Sequence, residues 1–307
     1  MALQVGIVGL PNAGKTSLFR ALTGAETTSG RDNVGMAAIP DPRLQQLAEV
    51  VRAKKVTPAA IRVVDVAGTG AELLGNLRQV DLILLVLDGW SGTRDPEADE
   101  EELTLELLAA DRDHVQRRID RVAKEAKSGD PKLRAQAANL ERLASHLEGL
   151  QAVSELGSDV DLPPELELLT VKPMMRIVNG PGGIDLKLEA ELADLAPEEA
   201  AAFREGESAL AEVVRALAGT LDLITFFTAG EKETRAWTLA KGSTALDAAG
   251  SIHTDIARGF IRAEVIRWDD LVAAGGHTEA RREGKERVEG KTYVVQDGDV
   301  LNVRFNV

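Results

Sequence analysis

The chain has 307 residues, of which 44% are hydrophobic and 28% charged, with no cysteine and a formal net charge of −14. Such a length holds more than one folding unit, and the composition excludes disordered and fibrous classes. The acidic charge counts against general DNA binding and leaves RNA contact to a local patch, while the missing cysteine excludes disulfides and thiolate metal sites and suits a reducing, cytoplasmic compartment.

The opening "MALQVGIVGL" has no basic leader or cleavage site, and the longest apolar run, "VDLILLVLDGW", is too short for a membrane helix. No membrane association is therefore expected. The first strand-like run, "LQVGIVG" at residues 3–9, enters the pattern Gly9-x-x-x-x-Gly14-Lys15-Thr16. Adjacent phosphates need convergent N–H donors and one mobile positive charge, which a glycine-rich loop running into a helix N-terminus supplies. Asn12, Ala13, Gly14, Lys15, Thr16 and Ser17 are the expected nucleotide-binding residues. Lys15 is expected along the β- and γ-phosphates, and the Thr16 hydroxyl on Mg²⁺.

A second run, "AIRVVDV" at residues 60–66, ends in the order Asp65-x-x-Gly68. An aspartate at the end of a strand can hold Mg²⁺ through water, and a glycine three residues later can bring its N–H to a γ-phosphate. Two more apolar runs, "VDLILLVLD" (80–88) and "KPMMRIVN" (172–179), complete the strand signals of a mostly parallel sheet covered on both faces. Between them lies a charged segment with Leu108, Val115, Ile119, Val122 and Ala126 on one helical stripe. After the turn signal "SGDP" comes a second stripe, Leu133, Ala137, Leu140, Ala144 and Leu147. Such spacing predicts an antiparallel helical hairpin inserted between sheet strands. A connecting loop, "GSDVDLPPELELL", and a helix around 198–217 follow. Residues from about 222 to 307 then alternate strands with a short helix near 244–252 and read as a small mixed-sheet domain. The predicted domains are 1–95 and 158–221 for the phosphate-binding part, 96–157 for the hairpin and 222–307 for the last unit.

Several stretches, "GIVGLPNAGKTSLFRALT", "NVGMAAIPDPRL", "DVAG", "AKSGDP" and above all "TFFTAGEKETRAWTLAKGSTALDAAGSIHTDIARGFIRAEVI" and "EGKTYVVQDGDVLNVRFNV", resemble the Obg-like ATPase (YchF) family. The resemblance covers nearly the whole chain. It implies an α/β P-loop NTPase with a G domain, a coiled-coil insertion and a C-terminal TGS domain of the β-grasp type. It also implies a translation-associated ATPase or GTPase with the ribosome or RNA as partner. The region 224–307 has 12 basic and 13 acidic residues, so charge alone does not make it an RNA-binding domain.

Carried over by register on Asn33-Val34-Gly35, the resemblance puts the switch metal ligand at Ser29, with Thr27 or Thr28 as substitutes in a loop shorter than in the family. It puts Asn179 and the Gly180 backbone beside the base. Where guanine-specific relatives have Asn-Lys-x-Asp and this family Asn-x-x-Glu, the chain has Asn179-Gly180-Pro181-Gly182. Without a carboxylate there, guanine loses its best hydrogen bonds and ATP is favoured over GTP. Thr69 stands where Ras-like switches have glutamine, so Lys15 and Gly68 are the expected catalytic groups. The rival readings are a nucleotide-dependent ribosome- or RNA-binding module without turnover and a small-molecule P-loop kinase.

Overall fold

The computed structural model describes residues 3–28, 30–68, 70–92, 94–125, 131–156, 162–203 and 207–306. The chain begins β1 (Gln4–Val8), α1 (Lys15–Thr23), β2 (Asn33–Ala38), α2 (Pro42–Val50), β3 (Val56–Thr57), β4 (Ala60–Asp65), α3 (Ala71–Leu77) and β5 (Leu82–Asp88). Two long helices, α4 (Pro96–Glu125) and α5 (Pro131–Glu148), precede β6 (Met174–Asn179), α6 (Leu186–Ala193), α7 (Pro197–Ala202) and α8 (Ala209–Thr220). The remainder holds β7 (Leu223–Ala229), β8 (Thr234–Ala240), α9 (Ala245–Ile252), α10 (Thr254–Arg258), β9 (Phe260–Arg267), α11 (Trp268–Ala274), α12 (His277–Arg282), β10 (Arg287–Glu289) and β11 (Asp299–Phe305). Among the described residues no helix is long and apolar enough to cross a membrane.

Two compact units divide the chain: Met1–Gly35 with Arg62–Gly206, and Met36–Ile61 with Glu207–Val307. One sheet, of order β2-β4-β1-β5-β6, has β1 parallel to both β4 and β5, and β5 parallel to β6. Residues 82–87 of β5 are all buried, as a central strand covered on both faces requires. Val8, Val64, Leu77, Val80, Ile83 and Leu85 belong to one hydrophobic core cluster.

The two predicted stripes meet. Val115 and Val122 of α4 pack with Leu140, Leu143 and Leu147 of α5, with Ile119, Ala137 and Ala144 beside them. The turn at 128–130 and Ala126 lie outside the described residues. At the root of this hairpin Asp111, wholly buried, accepts hydrogen bonds from Arg78 Nη1 (2.9 Å), the Leu169 N–H (3.0 Å), the Thr170 N–H (2.8 Å) and the Thr170 hydroxyl (2.9 Å). Arg78 caps the C-terminus of α3 and also donates to the carbonyls of Glu167 and Ala110.

In the second unit β10-β9-β11-β7-β8-β3 form one mixed sheet, with β7/β8 and β9/β11 antiparallel and β7/β11 parallel. Phe226, Leu239, Ala245, Phe260, Val265 and Leu301 fill its core, and the Phe226 and Trp237 rings stack at 6.2 Å. The segment Met36–Ile61, which the sequence reading puts in the phosphate-binding part, belongs to this unit. β3 extends its sheet parallel to β8, with Val56 opposite Thr234. Arg43 on α2 forks between Asp41 (2.7 Å) and Asp297 (2.6 Å) and lies over the Phe227 ring. The single helix predicted around 198–217 is two helices instead, because Ser208 accepts from the Leu210 N–H and starts α8 anew.

Candidate functional site

The loop between β1 and α1 is tight for steric reasons. A Cβ on Gly9 would lie 2.3 Å from the Val86 carbonyl oxygen, and Gly14 sits at φ 104° with Asn179 Nδ2 where its Cβ would be. Asn12 also takes a left-handed conformation, at φ 68°. Buried Ala13 donates its N–H to the Leu10 carbonyl at 3.3 Å, which closes the turn. Gly14 caps α1 without a side-chain hydrogen bond, so Lys15, Thr16 and Ser17 form a first turn whose N–H groups have no cap to satisfy them.

Lys15 Nζ donates to the carbonyls of Gly9 (2.9 Å) and Leu10 (3.0 Å). These bonds hold the ammonium over the loop. Burial pushes its pKa below the ordinary lysine value, and the charge of Asp65 opposes that shift. Asp65, at the end of β4 and 8% exposed, moves the other way. Burial raises its pKa, against a hydrogen bond from Asn33 and the charge of Lys15. Among the described residues the one hydrogen bond to this carboxylate is that from Asn33 Nδ2, at 3.4 Å.

Thr16, Asp65, Ala67 and Gly68 line one pocket of about 260 Å³ with Thr27, Thr28, Gly30, Arg31 and Asn33. Arg31 and Asn33 line it, and Asp32 between them ties this stretch to the residues after β4. The Asp32 carboxylate accepts from the Ala67 N–H (2.8 Å), and Asn33 accepts from the Thr28 N–H (2.7 Å) while its amide reaches Asp65. Sequence reasoning used Asn33 only as a register mark and did not single out Arg31 or Asp32. The polarity of "GRDN" between glycine turns is the one signal that could have found them. Ser29 and Thr69 lie outside the described residues.

A poorly partnered buried carboxylate that shares a pocket lining with a threonine is a donor set that fits a hard divalent cation. Among the described residues no cluster of three or more His, Asp or Glu could hold a metal. Asp65 and Thr16 are residues of this lining that could hold such a cation.

At the other end of the loop, both polar atoms of the Asn179 side chain have partners within the protein. Its Nδ2 donates to the Ala13 carbonyl (3.0 Å), and its Oδ1 accepts from the Leu186 N–H (3.2 Å). This side chain joins the phosphate loop to the start of α6. Gly180 turns the backbone at φ 141° against Gly89 and Trp90, and the turn closes through Gly183 N–H to Gly180 O (2.9 Å) and Ile184 N–H to Val178 O (2.9 Å).

Residues 4–124 match the family described as "50S ribosome-binding GTPase", and residues 223–306 match YchF-GTPase_C, described as "Protein of unknown function (DUF933)". The ribosome-binding ATPase YchF of Bacillus subtilis is 39% identical over 366 aligned positions covering 100% of both chains. The protein of the same name from Escherichia coli O157:H7 is 37% identical over 363 positions, again with 100% of both covered. The solved structure of the Schizosaccharomyces pombe YchF GTPase aligns with a TM-score of 0.85 at 27% identity, covering 99% of this chain and 98% of that chain. Alignments longer than the 307 residues present here mean that this chain omits internal segments its relatives carry.

Proposed function

The chain belongs to the YchF family, and from that membership we propose that it is a Mg²⁺-dependent nucleoside triphosphatase, preferring ATP to GTP, that acts as a nucleotide-controlled switch on a ribosomal partner. The observation that carries this reading is the convergence of Thr16, Asp65 and Gly68 on one pocket beside Lys15. The loop from Asn12 to Ser17 would cradle the phosphates, and Lys15 would leave its carbonyl partners for the β- and γ-oxygens. Thr16 directly, and Asp65 through water, would hold Mg²⁺, which neutralises phosphate charge when bound. The Gly68 N–H would contact the γ-phosphate. Positioning and electrostatic stabilisation provide most of the acceleration in such sites.

ATP preference rests on the turn after Asn179. Its side chain already serves the phosphate loop, and Gly180-Pro181-Gly182 offers no carboxylate to read guanine. The partner rests on the relatives, which are named ribosome-binding ATPases. Relevant to turnover, the described lining of the pocket contains no glutamine or second carboxylate to orient water, which favours slow hydrolysis, or nucleotide binding without turnover, as the second reading.

The test combines titration and turnover. Lys15→Ala is expected to weaken ATP binding at least about 100-fold by calorimetry, roughly the contribution of one charge-assisted phosphate contact or more. Unchanged affinity would remove the phosphate-loop assignment. Competition between ATP and GTP in the presence of Mg²⁺ tests base choice, and a clear GTP preference overturns it. Single-turnover hydrolysis with and without ribosomes separates the two readings. Stimulated turnover supports the switch, and bound but intact ATP supports the binding module.

A further inference from the structure

Phosphoryl transfer to water spreads charge over the three equatorial oxygens of the transferred group, and a cation at the face that the phosphate loop does not cover accelerates it. The described residues offer one. Arg31 lines the pocket together with Thr16 and Gly68, is exposed to solvent, and among the described residues no carboxylate pairs with it. Among the described residues its Nη2 donates only to the Thr28 hydroxyl, at 3.3 Å.

Its backbone is held close to the reacting end of the site by its two successors. Asp32 accepts from the N–H of Ala67, the residue before Gly68, and Asn33 bonds Asp65. An arginine fixed at its base this way, with a long side chain and uncommitted N–H groups, can swing onto a phosphate without breaking an ion pair.

We propose that Arg31 is a catalytic residue acting in cis, its guanidinium touching the γ-phosphoryl oxygens of the nucleotide held by the phosphate loop. The assignment rests on the triphosphatase reading given above and deepens it. In the step it assists, the bond from the water oxygen to the γ-phosphorus forms as the bond from phosphorus to the β,γ-bridging oxygen breaks. That electron pair stays on the β-phosphate, the water proton passes to the released phosphate, and the products are nucleoside diphosphate and inorganic phosphate. Arg31 neutralises charge on the γ-oxygens while this happens. Because binding of the ground-state triphosphate is left to Lys15 and the loop, Arg31 acts on rate more than on affinity.

The experiment uses the full chain and its Arg31→Ala and Arg31→Lys variants. Calorimetry with Mg²⁺ and a non-hydrolysable ATP analogue measures affinity, single-turnover assays measure the chemical step, and trapping with ADP, Mg²⁺ and aluminium fluoride reports the transition-state geometry. For Arg31→Ala, affinity is expected to stay within about threefold while turnover falls about 10³-fold and trapping is lost. Arg31→Lys recovers little, because a point charge cannot fork across two oxygens. Added guanidinium restores part of the alanine variant's rate.

Equal turnover and trapping in wild type and Arg31→Ala overturn the proposal. So does an affinity loss as large as the rate loss, which would make Arg31 a binding group. A wild-type chain that binds ATP but neither turns it over nor traps aluminium fluoride also overturns it and leaves the binding reading standing. A wild-type chain that binds no nucleotide removes the triphosphatase reading itself.

Discussion

Asp65 and Asp111 lie in the same folded unit, both buried, and they are treated in opposite ways. Asp111 accepts four hydrogen bonds, one from Arg78 and three from the loop that follows the hairpin, so both of its oxygens are satisfied. Asp65 accepts one long hydrogen bond from Asn33, and its pKa is raised by burial. A buried charge is tolerated when it is fully paired and is costly when it is not. The first arrangement clamps the helical hairpin to the sheet and α3. The second leaves a carboxylate under-paired at the expense of stability, as the proposed Mg²⁺ role of Asp65 requires.

The strongest test of this contrast removes each carboxylate in turn. Asp111→Ala leaves Arg78 and two backbone N–H groups without their acceptor, so unfolding in urea is expected to show a loss of about 3–5 kcal/mol, with nucleotide affinity of the folded protein nearly unchanged. A loss below about 1 kcal/mol would mean that the clamp is replaced by water. Asp65→Asn should do the reverse. Stability is expected to rise by about 1 kcal/mol as an under-paired charge disappears, while the Mg²⁺-dependent part of nucleotide affinity falls about 10–100-fold. Lower stability together with intact Mg²⁺ dependence would sink the comparison.

Asn179 sits between these extremes, a polar side chain spent on structure at the edge of the site. Asn179→Ala is expected to weaken ATP and GTP alike, by about fivefold, because it loosens the phosphate loop at Ala13. A loss confined to one base would show that the side chain reads the base after all.

The smallest effect is expected at Glu264 in the other unit, a buried carboxylate that Arg304 holds below the ordinary glutamate range, with Arg262 and Arg281 nearby. A depressed folded pKa contributes stability that is present above the unfolded value and is lost as pH falls through the folded one. Acid titration of unfolding should therefore show a shallower acid limb in Glu264→Gln than in wild type. Superimposable limbs would show that solvent screening removes the pairing.

The parts legible in the sequence are those written in local spacing. The phosphate loop could be read because its glycines answer short-range needs, the approach of Gly9 to Val86 and the left-handed backbone at Gly14. The buried strands and the two hairpin stripes could be read because burial imposes a period on nearby residues, and Val115, Val122, Leu140 and Leu147 do meet in one core. The long C-terminal stretch carried the family.

What only the tertiary structure decided involves partners far apart in the chain. Nothing local in Met36–Ile61 shows that β3 pairs with β8 or that Arg43 reaches Asp297, since edge pairing and salt bridges across 254 positions depend on how the chain returns. The same holds for Asp111, which reads as one more charge on a charged helix until Arg78 and Thr170 are brought to it. Arg31 and Asn33 gain meaning only when the loop closes on Asp65 and Ala67. Periodicity records which side of an element is buried, whereas the hydrogen-bond partner of a polar side chain is set by packing that no window of sequence contains.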